Sequence, residues 1–382
     1  MKKQLGIYLH IPFCVRKCAY CDFLSAPADR QAREAYVRAL EEEIRDFADA
    51  DSYEVRSVFI GGGTPSCLEE GQIFRLMEAV RGRFAVREDA EISIECNPGT
   101  LDEGKLQEYK SAGTNRLSIG MQSADDQELA LLGRIHTRAD LEKSFALARK
   151  AGFDNINIDL ISGLPGQKPE DFARSLKAVC ELSPEHISAY SLIIEEGTPF
   201  GAAYGEDDLR RQRGLAPKLL PTEEEERKMS ADTVRILADA GYARYEISNY
   251  ALPGRECVHN TGYWIREPYA GFGIGAASLL GNERTKNTTD LAAYIAGDRK
   301  KEERQSLSLE EEMSETMFLG LRLIRGVDLA RFEETFGVSA MERWKEEIAR
   351  MEAEGLLADD GKFLSLTERG LDIANYVMAQ FV

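Results

Sequence analysis

The sequence is short of histidine, tryptophan and positive charge. Its 382 residues include 4 His, 2 Trp and 48 Lys plus Arg, against 66 Asp plus Glu, for a formal net charge of −18. An acidic surface repels phosphates and releases no counterions, which argues against general nucleic-acid binding. No stretch approaches the roughly 18 apolar residues of a membrane span. The short apolar run after Met1-Lys2-Lys3 holds His10 and Pro12 and lacks a small-residue cleavage pattern. It therefore reads as a strand, not a secretory leader, and a cytoplasmic location is expected. Seven cysteines, an odd number with no leader, do not make a disulfide framework. What is present, 43% apolar and 30% charged residues, is the composition of a globular protein with an ample core. At about 150 residues per domain, the length predicts two or three domains, or one barrel with an appendage.

Strand and helix patterns alternate through the first two thirds. Strands are expected over 5–11, 55–60, 91–96, 116–120, 155–160 and 186–192, with helices over 30–47, 73–83, 141–151 and 170–182 between them. That order implies an α/β fold with a parallel sheet and right-handed crossovers. Distinctive residues follow strands one to five in turn. This favours a (β/α) barrel, whose strand ends converge on one centre, over an open doubly wound sheet. Residues 1–281 are read as the barrel domain, with a Gly-, Pro- and charge-rich excursion at 201–226 leading into a helix over 223–240. The polar stretch 282–306 reads as a linker. Residues 307–382 form a second unit, with helices over 310–324, 328–336 and 341–354 and a hairpin over 355–366, the order of a winged helix. From residue 310 onward there are 16 acidic and 8 basic residues, so packing or partner docking is expected there in place of DNA binding.

Three cysteines, Cys14, Cys18 and Cys21, fall within eight residues. Random placement would give that spacing about 0.002 times per chain. Zinc is one reading, but structural zinc wants four ligands, and the nearest further candidate is His10. The other is an iron–sulfur cluster with three irons held by protein and one left open. A ligand carrying an amine and a carboxylate could fill that iron, and S-adenosylmethionine (SAM) has both. An electron from the cluster would then split the sulfonium and yield a 5′-deoxyadenosyl radical. Cys67, Cys96, Cys180 and Cys257 are isolated and read as small buried residues. Gly61-Gly62-Gly63-Thr64-Pro65 follows strand two; its glycines let the backbone approach a ligand with main-chain groups free, or simply make a tight turn. No Lys-Ser/Thr follows, so it is not a Walker loop. Glu95 ends strand three, where a carboxylate can bond ribose hydroxyls or an amino group, or stand solvated.

The run Tyr8-Leu9-His10-Ile11-Pro12-Phe13-Cys14-Val15-Arg16-Lys17-Cys18-Ala19-Tyr20-Cys21-Asp22-Phe23 closely resembles the radical SAM superfamily, and within it the group around oxygen-independent coproporphyrinogen III oxidase. The resemblance implies a partial TIM-type barrel and a 4Fe–4S cluster on Cys14, Cys18 and Cys21. It also implies SAM contacts from Tyr8, from Tyr20 near the adenine, from Gly62, Gly63 and Thr64 at the methionine amine, and from Glu95. It continues through Asn115-Arg116-Leu117-Ser118-Ile119-Gly120-Met121-Gln122-Ser123, Leu132-Gly133-Arg134-Ile135-His136 and Asn157-Ile158-Asp159-Leu160-Ile161-Ser162-Gly163-Leu164-Pro165-Gly166. In the porphyrinogen oxidases the positions matching Gln122, Arg134, Asp159 and Ile193 help bind SAM, including a second molecule. Arg116 and His136 could equally be structural.

Within this group the chain is most similar to the haem chaperone family HemW. The oxidases carry an additional N-terminal segment, whereas here the first strand begins almost at Met1. They have another cysteine two residues after the third, where this chain has Phe23. Cys257-Val258-His259-Asn260-Thr261-Gly262-Tyr263-Trp264 matches the H-N-x-x-Y-W motif associated with haem in that family. A segment holding His, Tyr and Trp could ligate haem iron and stack its ring, although a polar turn with buried aromatics would read the same. His259 is the freest of the four histidines on this reading, and Asn260, Tyr263 and Trp264 accompany it. Relatives often read G-A-H-S where this chain has Gly275-Ala276-Ala277-Ser278. The resemblance thus implies a haem carrier that delivers haem to acceptor haemoproteins, with an electron donor for its cluster. The alternatives are an oxygen-independent coproporphyrinogen III oxidase, or a radical SAM enzyme acting on another tetrapyrrole.

Overall fold

The computed structural model describes residues 2–382. Its first six strands are β1 (Lys3–Ile11), β2 (Tyr53–Gly62), β3 (Ala85–Cys96), β4 (Arg116–Gln122), β5 (Ile156–Ser162) and β6 (His186–Ser191). They lie side by side in sequence order and are all parallel. With right-handed crossovers, an order that never reverses puts every connecting helix on one face, and the sheet curls around the other. The result is a partial barrel, not a doubly wound sheet. Asp29, Asp102 and Thr137 cap the covering helices Arg30–Arg45, Glu103–Ser111 and Arg138–Lys150 by accepting a first-turn backbone N–H.

Side chains alternate along these strands, and the alternation assigns the two faces. Ile92 and Ile94, Leu117 and Ile119, Ile156 and Ile158, and Ile187 belong to the apolar core under the helices. Their neighbours Glu91, Ser93 and Glu95, Arg116 and Ser118, Asn157 and Asp159, and His186 and Ser188 occupy the opposite, inner face. Parallel strands buried on both faces are normally apolar throughout. A polar inner face gives the barrel an interior suited to a polar ligand.

Six further strands flank the barrel: β7 (Ala243–Arg244), β8 (Asn249–Ala251), β9 (Tyr269–Phe272), β10 (Ala277–Leu280), β11 (Glu283–Asn287) and β12 (Lys301–Ser306). The full order is β12-β11-β10-β9-β1-β2-β3-β4-β5-β6-β8-β7. Residues 282–306 are therefore not a linker. β11 and β12 pair antiparallel and extend the main sheet, past the expected boundary at 281. Their polarity has another cause: β12 is an almost wholly exposed edge, and charged edges resist pairing with other chains. The excursion at 201–226 also differs, because helix Pro199–Gln212 occupies its first half. Its Asp207 carboxylate accepts the backbone N–H groups of Lys218, Leu219 and Leu220 and folds the following loop back.

The C-terminal unit opens with helix Leu309–Gly320 and holds a small antiparallel sheet. Strands β13 (Val327–Asp328), β14 (Leu357–Asp359) and β15 (Phe363–Leu366) run in the order β13-β15-β14. The unit has its own core, including Met317, Phe332, Trp344, Ile348, Leu364 and Phe381, and the arrangement is winged-helix-like. The helix expected over 341–354 is split at Trp344, whose ring is buried against Phe332 and Phe381. Two backbone bonds, Ile247 N–H to Arg322 O at 3.1 Å and Ile324 N–H to Tyr245 O at 3.0 Å, join the unit to the barrel. Arg266 adds ion pairs to Glu312 and Glu315 at 2.9 and 3.0 Å.

Candidate functional site

The cysteine loop leaves the end of β1 and lies across the mouth of the barrel. Ala26 closes it, donating to Pro12 O at 3.0 Å and accepting from Cys14 N–H at 3.3 Å. Ala19 bonds Leu132 and Phe200 through its backbone, at 2.9 Å each. Cys14 is buried, while Cys18 and Cys21 are partly open, and all three thiols are free. Burial pushes the Cys14 and Cys21 thiols up. The donor set bears on the choice of metal. His10, the nearest candidate for a fourth ligand, is already committed: its Nε2 lies 2.9 Å from Leu24 O and its Nδ1 lies 3.0 Å from the Tyr8 hydroxyl. Because a carbonyl only accepts, Nε2 carries the proton and Nδ1 accepts from Tyr8. Among the described residues, no three His, Cys, Asp or Glu side chains converge on a single metal position. A cluster needs no such point, since each thiolate takes its own iron. The residues fit an iron–sulfur cluster better than zinc.

The glycines after β2 are needed mainly by this loop. A Cβ on Gly63 would sit 2.5 Å from Phe13 O, and one on Gly62, where φ is +114°, would sit 2.6 Å from the His10 ring. The N–H groups of Gly62, Gly63 and Thr64 bond Glu95 Oε2, Ile11 O and Phe13 O at 2.9, 2.8 and 2.6 Å. Of the main-chain groups expected to be free here, these three donors are spent on the fold. Only acceptors could serve a ligand at this segment, and acceptors suit an ammonium group.

Glu95 stands beside these glycines with Asp159 behind it. Burial, and then the charge of Asp159, push the Glu95 carboxyl up to about 8, against the Gly62 N–H bond and Arg116, which favour its ionised form. Burial also raises Asp159, although Asn157 Nδ2 donates to it at 2.7 Å and Ser118 Oγ at 3.3 Å. Two carboxyls short of positive charge prepare this mouth for a cation. Arg134 braces the rim: Nη2 donates to Asn97 Oδ1 and Gly120 O, both at 2.8 Å, and Nη1 approaches Cys18 Sγ at 3.6 Å. Asn97 in turn donates to Thr64 Oγ1 at 2.9 Å, so one network ties loop, glycines and strand ends. Gln122 ends β4 with a φ of +71°. Tyr20 packs with Phe200 near Leu132, Ile161 and Leu192, and Ile193 is 68% exposed after β6. His136 is buried and bonds Met121 O at 3.1 Å, a structural role.

The His-Asn-x-x-Tyr-Trp segment forms helix Val258–Trp264 at the opposite end of the barrel interior. Here the sequence reading is corrected. His259 is not free: it is 4% exposed, its Nδ1 meets Ser57 Oγ at 2.9 Å and its Nε2 meets the Tyr263 hydroxyl at 3.0 Å. Its ring stacks on Phe59 with centroids 5.2 Å apart. Burial, helped by Arg116, holds its imidazole down at about 3. Glu91 anchors the helix start by accepting from Val258 N–H at 3.0 Å and His259 N–H at 3.1 Å. Asn260 is half-buried. Trp264 faces the C-terminal unit, with the Arg322 guanidinium 4.3 Å above its ring and its Nε1 without a hydrogen-bond partner. Ala277 sits in β10 opposite Lys286. Arg116 and Asn157, which lie in the family-like segments, point into the interior together with Glu91, His186 and Tyr245, none of which a motif marks. The signal that could have found Glu91 and His186 is the polar member of each strand's alternation; Tyr245 lies between β7 and β8 and has no such signal.

Residues 8–179 match the family described as the radical SAM superfamily, and residues 307–373 match the HemN C-terminal domain. The heme chaperone HemW of Lactococcus lactis is 36% identical over 384 residues, covering 100% of this chain and 98% of the relative. That of Bacillus subtilis is 36% identical, covering 98% of each. Among solved structures, the coproporphyrinogen III oxidase HemN from Escherichia coli, a radical SAM enzyme, superposes with a TM-score of 0.83. It is 27% identical, and the match covers 100% of this chain and 90% of that one.

Proposed function

Because this chain belongs to the HemW haem chaperone family of the radical SAM superfamily, we propose that it is a haem carrier that passes haem to acceptor haemoproteins. Cys14, Cys18 and Cys21 would hold the superfamily's 4Fe–4S cluster. Tyr8, Tyr20, Gly62, Gly63, Thr64, Glu95, Gln122, Arg134, Asp159 and Ile193 would serve SAM. When bound, the pair supplies one-electron chemistry at the barrel mouth, which calls for a reductant. A cytoplasmic protein with access to such a donor fits this reading; no helix among the described residues is long and apolar enough to cross a membrane.

The observation that carries the proposal is likeness to HemW proteins over the whole chain, His259-Asn260 and Tyr263-Trp264 included. The structure adds a condition. Both ring nitrogens of His259 are occupied, so ligation of haem iron requires helix Val258–Trp264 to leave its place against Ser57 and Glu91. The imidazole is already neutral, so no proton has to be lost first. A second reading, coproporphyrinogen III oxidation, draws on the fold shared with the Escherichia coli enzyme. Phe23, where those oxidases have a further cysteine, speaks against it.

The test is a haem titration followed by the Soret band. Wild type should bind near-stoichiometrically, and His259→Ala should weaken binding about tenfold or more, or shift the band, because the iron loses a ligand. Equal affinity and an unchanged spectrum in that variant would make His259 purely structural.

A further inference from the structure

A file of hydrogen bonds, branched only at Asn157 where Ser188 and Ser118 join it, crosses the barrel interior between the two regions assigned above to different ligands. It starts at Cys257, the residue before the Val258–Trp264 helix, whose N–H lies 3.3 Å from the Tyr245 hydroxyl. That hydroxyl is 2.8 Å from His186 Nε2. His186 Nδ1 is 2.6 Å from Asn157 Oδ1, and Asn157 Nδ2 donates to Asp159 Oδ1 at 2.7 Å. His186 is 0% exposed.

The direction of the file is determined by its ends. An amide N–H can only donate, so the Tyr245 oxygen accepts from Cys257. At the other end Asn157 turns its Nδ2 to the Asp159 carboxylate, which leaves Oδ1 to accept from His186 Nδ1, and His186 Nε2 to accept the Tyr245 proton. The neutral imidazole then carries its proton on Nδ1 and gives it to Asn157 Oδ1. Every donor points the same way, toward Asp159. From Cys257 to His186 each link depends on the next, because a buried polar group left alone is costly; Asn157 has further partners in Ser188 and Ser118.

We propose that His186 and Tyr245 are positioning residues that tie Asp159 to the Val258–Trp264 helix, so that ligands at the two ends alter each other's affinity. The proposal rests on the assignment of Asp159 to SAM and of the helix to haem. The two-state element is the helix itself. When it leaves Glu91, the Cys257 N–H leaves with it, and the Tyr245 hydroxyl is free to turn from His186. The imidazole can then exchange its proton between nitrogens, and Asn157 loses the shorter of the two bonds that hold its amide toward Asp159, keeping only Ser188 Oγ at 3.1 Å.

The experiment measures SAM binding to the anaerobically reconstituted full chain with and without haem. In wild type, haem should change the SAM dissociation constant by about fivefold or more, and SAM should change haem binding by the same factor, as linkage requires. Tyr245→Phe, which loses only the hydroxyl, should bring that factor to within about twofold of unity while iron content stays at the wild-type value. The chain should stay folded, with a lowered melting temperature because His186 Nε2 and the Cys257 N–H lose their partner. His186→Gln should do the same; if it fails to fold, Tyr245→Phe carries the test alone. An undiminished factor in Tyr245→Phe, or a wild type that binds both ligands independently, overturns the proposal. Unchanged SAM affinity in Asp159→Asn, or no haem binding by wild type, overturns the underlying assignments instead, and the proposal with them.

Discussion

Replacing any one of Cys14, Cys18 or Cys21 by alanine should remove most of the iron from the anaerobically purified protein, which in wild type should be brown with about four irons per chain. The expectation follows from the donor set. The loop offers three free thiols, and His10 is committed to Tyr8 and Leu24. A cluster held at only three corners has no protein ligand in reserve. The three variants should therefore behave alike, whereas Cys180→Ala should keep its iron, because Cys180 lies in helix Pro169–Leu182, away from the mouth. Iron and acid-labile sulfide analysis reads the result. Stoichiometric zinc with negligible iron after anaerobic reconstitution would show that the loop holds a different metal.

Glu95→Gln should weaken SAM binding about ten- to hundredfold, the usual cost of removing a charged hydrogen-bond partner from a buried site. Iron content should be retained, since the carboxylate is assigned to the ligand and not to the cluster. The pH dependence is the more specific signature. With its carboxyl up at about 8, Glu95 is largely protonated at neutral pH in the ligand-free protein. Binding a cation there must expel that proton, so SAM affinity should rise from pH 6.5 to 8 and level off above. In Glu95→Gln this rise should be much reduced. Stability runs the other way. A folded-state carboxyl raised above its unfolded value contributes fully below the unfolded pKa, near 4, and that contribution is lost as pH climbs toward 8. The ligand-free wild type should thus lose stability over this range more steeply than Glu95→Gln. Isothermal titration in two buffers of different ionisation heat checks the proton release. A pH-independent affinity in wild type would remove Glu95 from the site.

Much of the fold could be read from the sequence because its signals are local. Six strands alternate with helices, and Ile92-Ser93-Ile94-Glu95 or Ile156-Asn157-Ile158-Asp159 display the period of a two-faced strand. The cysteine loop is likewise contiguous, so its chemistry is visible in eight residues. What escaped depends on partners far along the chain. β12 reads as a solvated stretch until β11 is placed beside it. Helix Pro199–Gln212 reads as a loop until its Asp207 is seen gathering three backbone donors. His259 looks free in a polar segment, but Glu91, 168 positions earlier, draws that segment into the barrel. The glycines of the Gly61–Thr64 segment read from sequence as a ligand cradle or a tight turn. Their first duty is to let Phe13 and His10 lie on them.

The central claim, a haem carrier and not a porphyrinogen oxidase, turns on one comparison. The reconstituted protein, holding its cluster and supplied with SAM and a reductant under anaerobic conditions, is incubated separately with haem and with coproporphyrinogen III. The haem sample is read by the Soret band after gel filtration, and the other by product analysis. The account predicts a stable haem complex near one haem per chain and no decarboxylated product. A protein that retains no haem yet decarboxylates coproporphyrinogen III would contradict it.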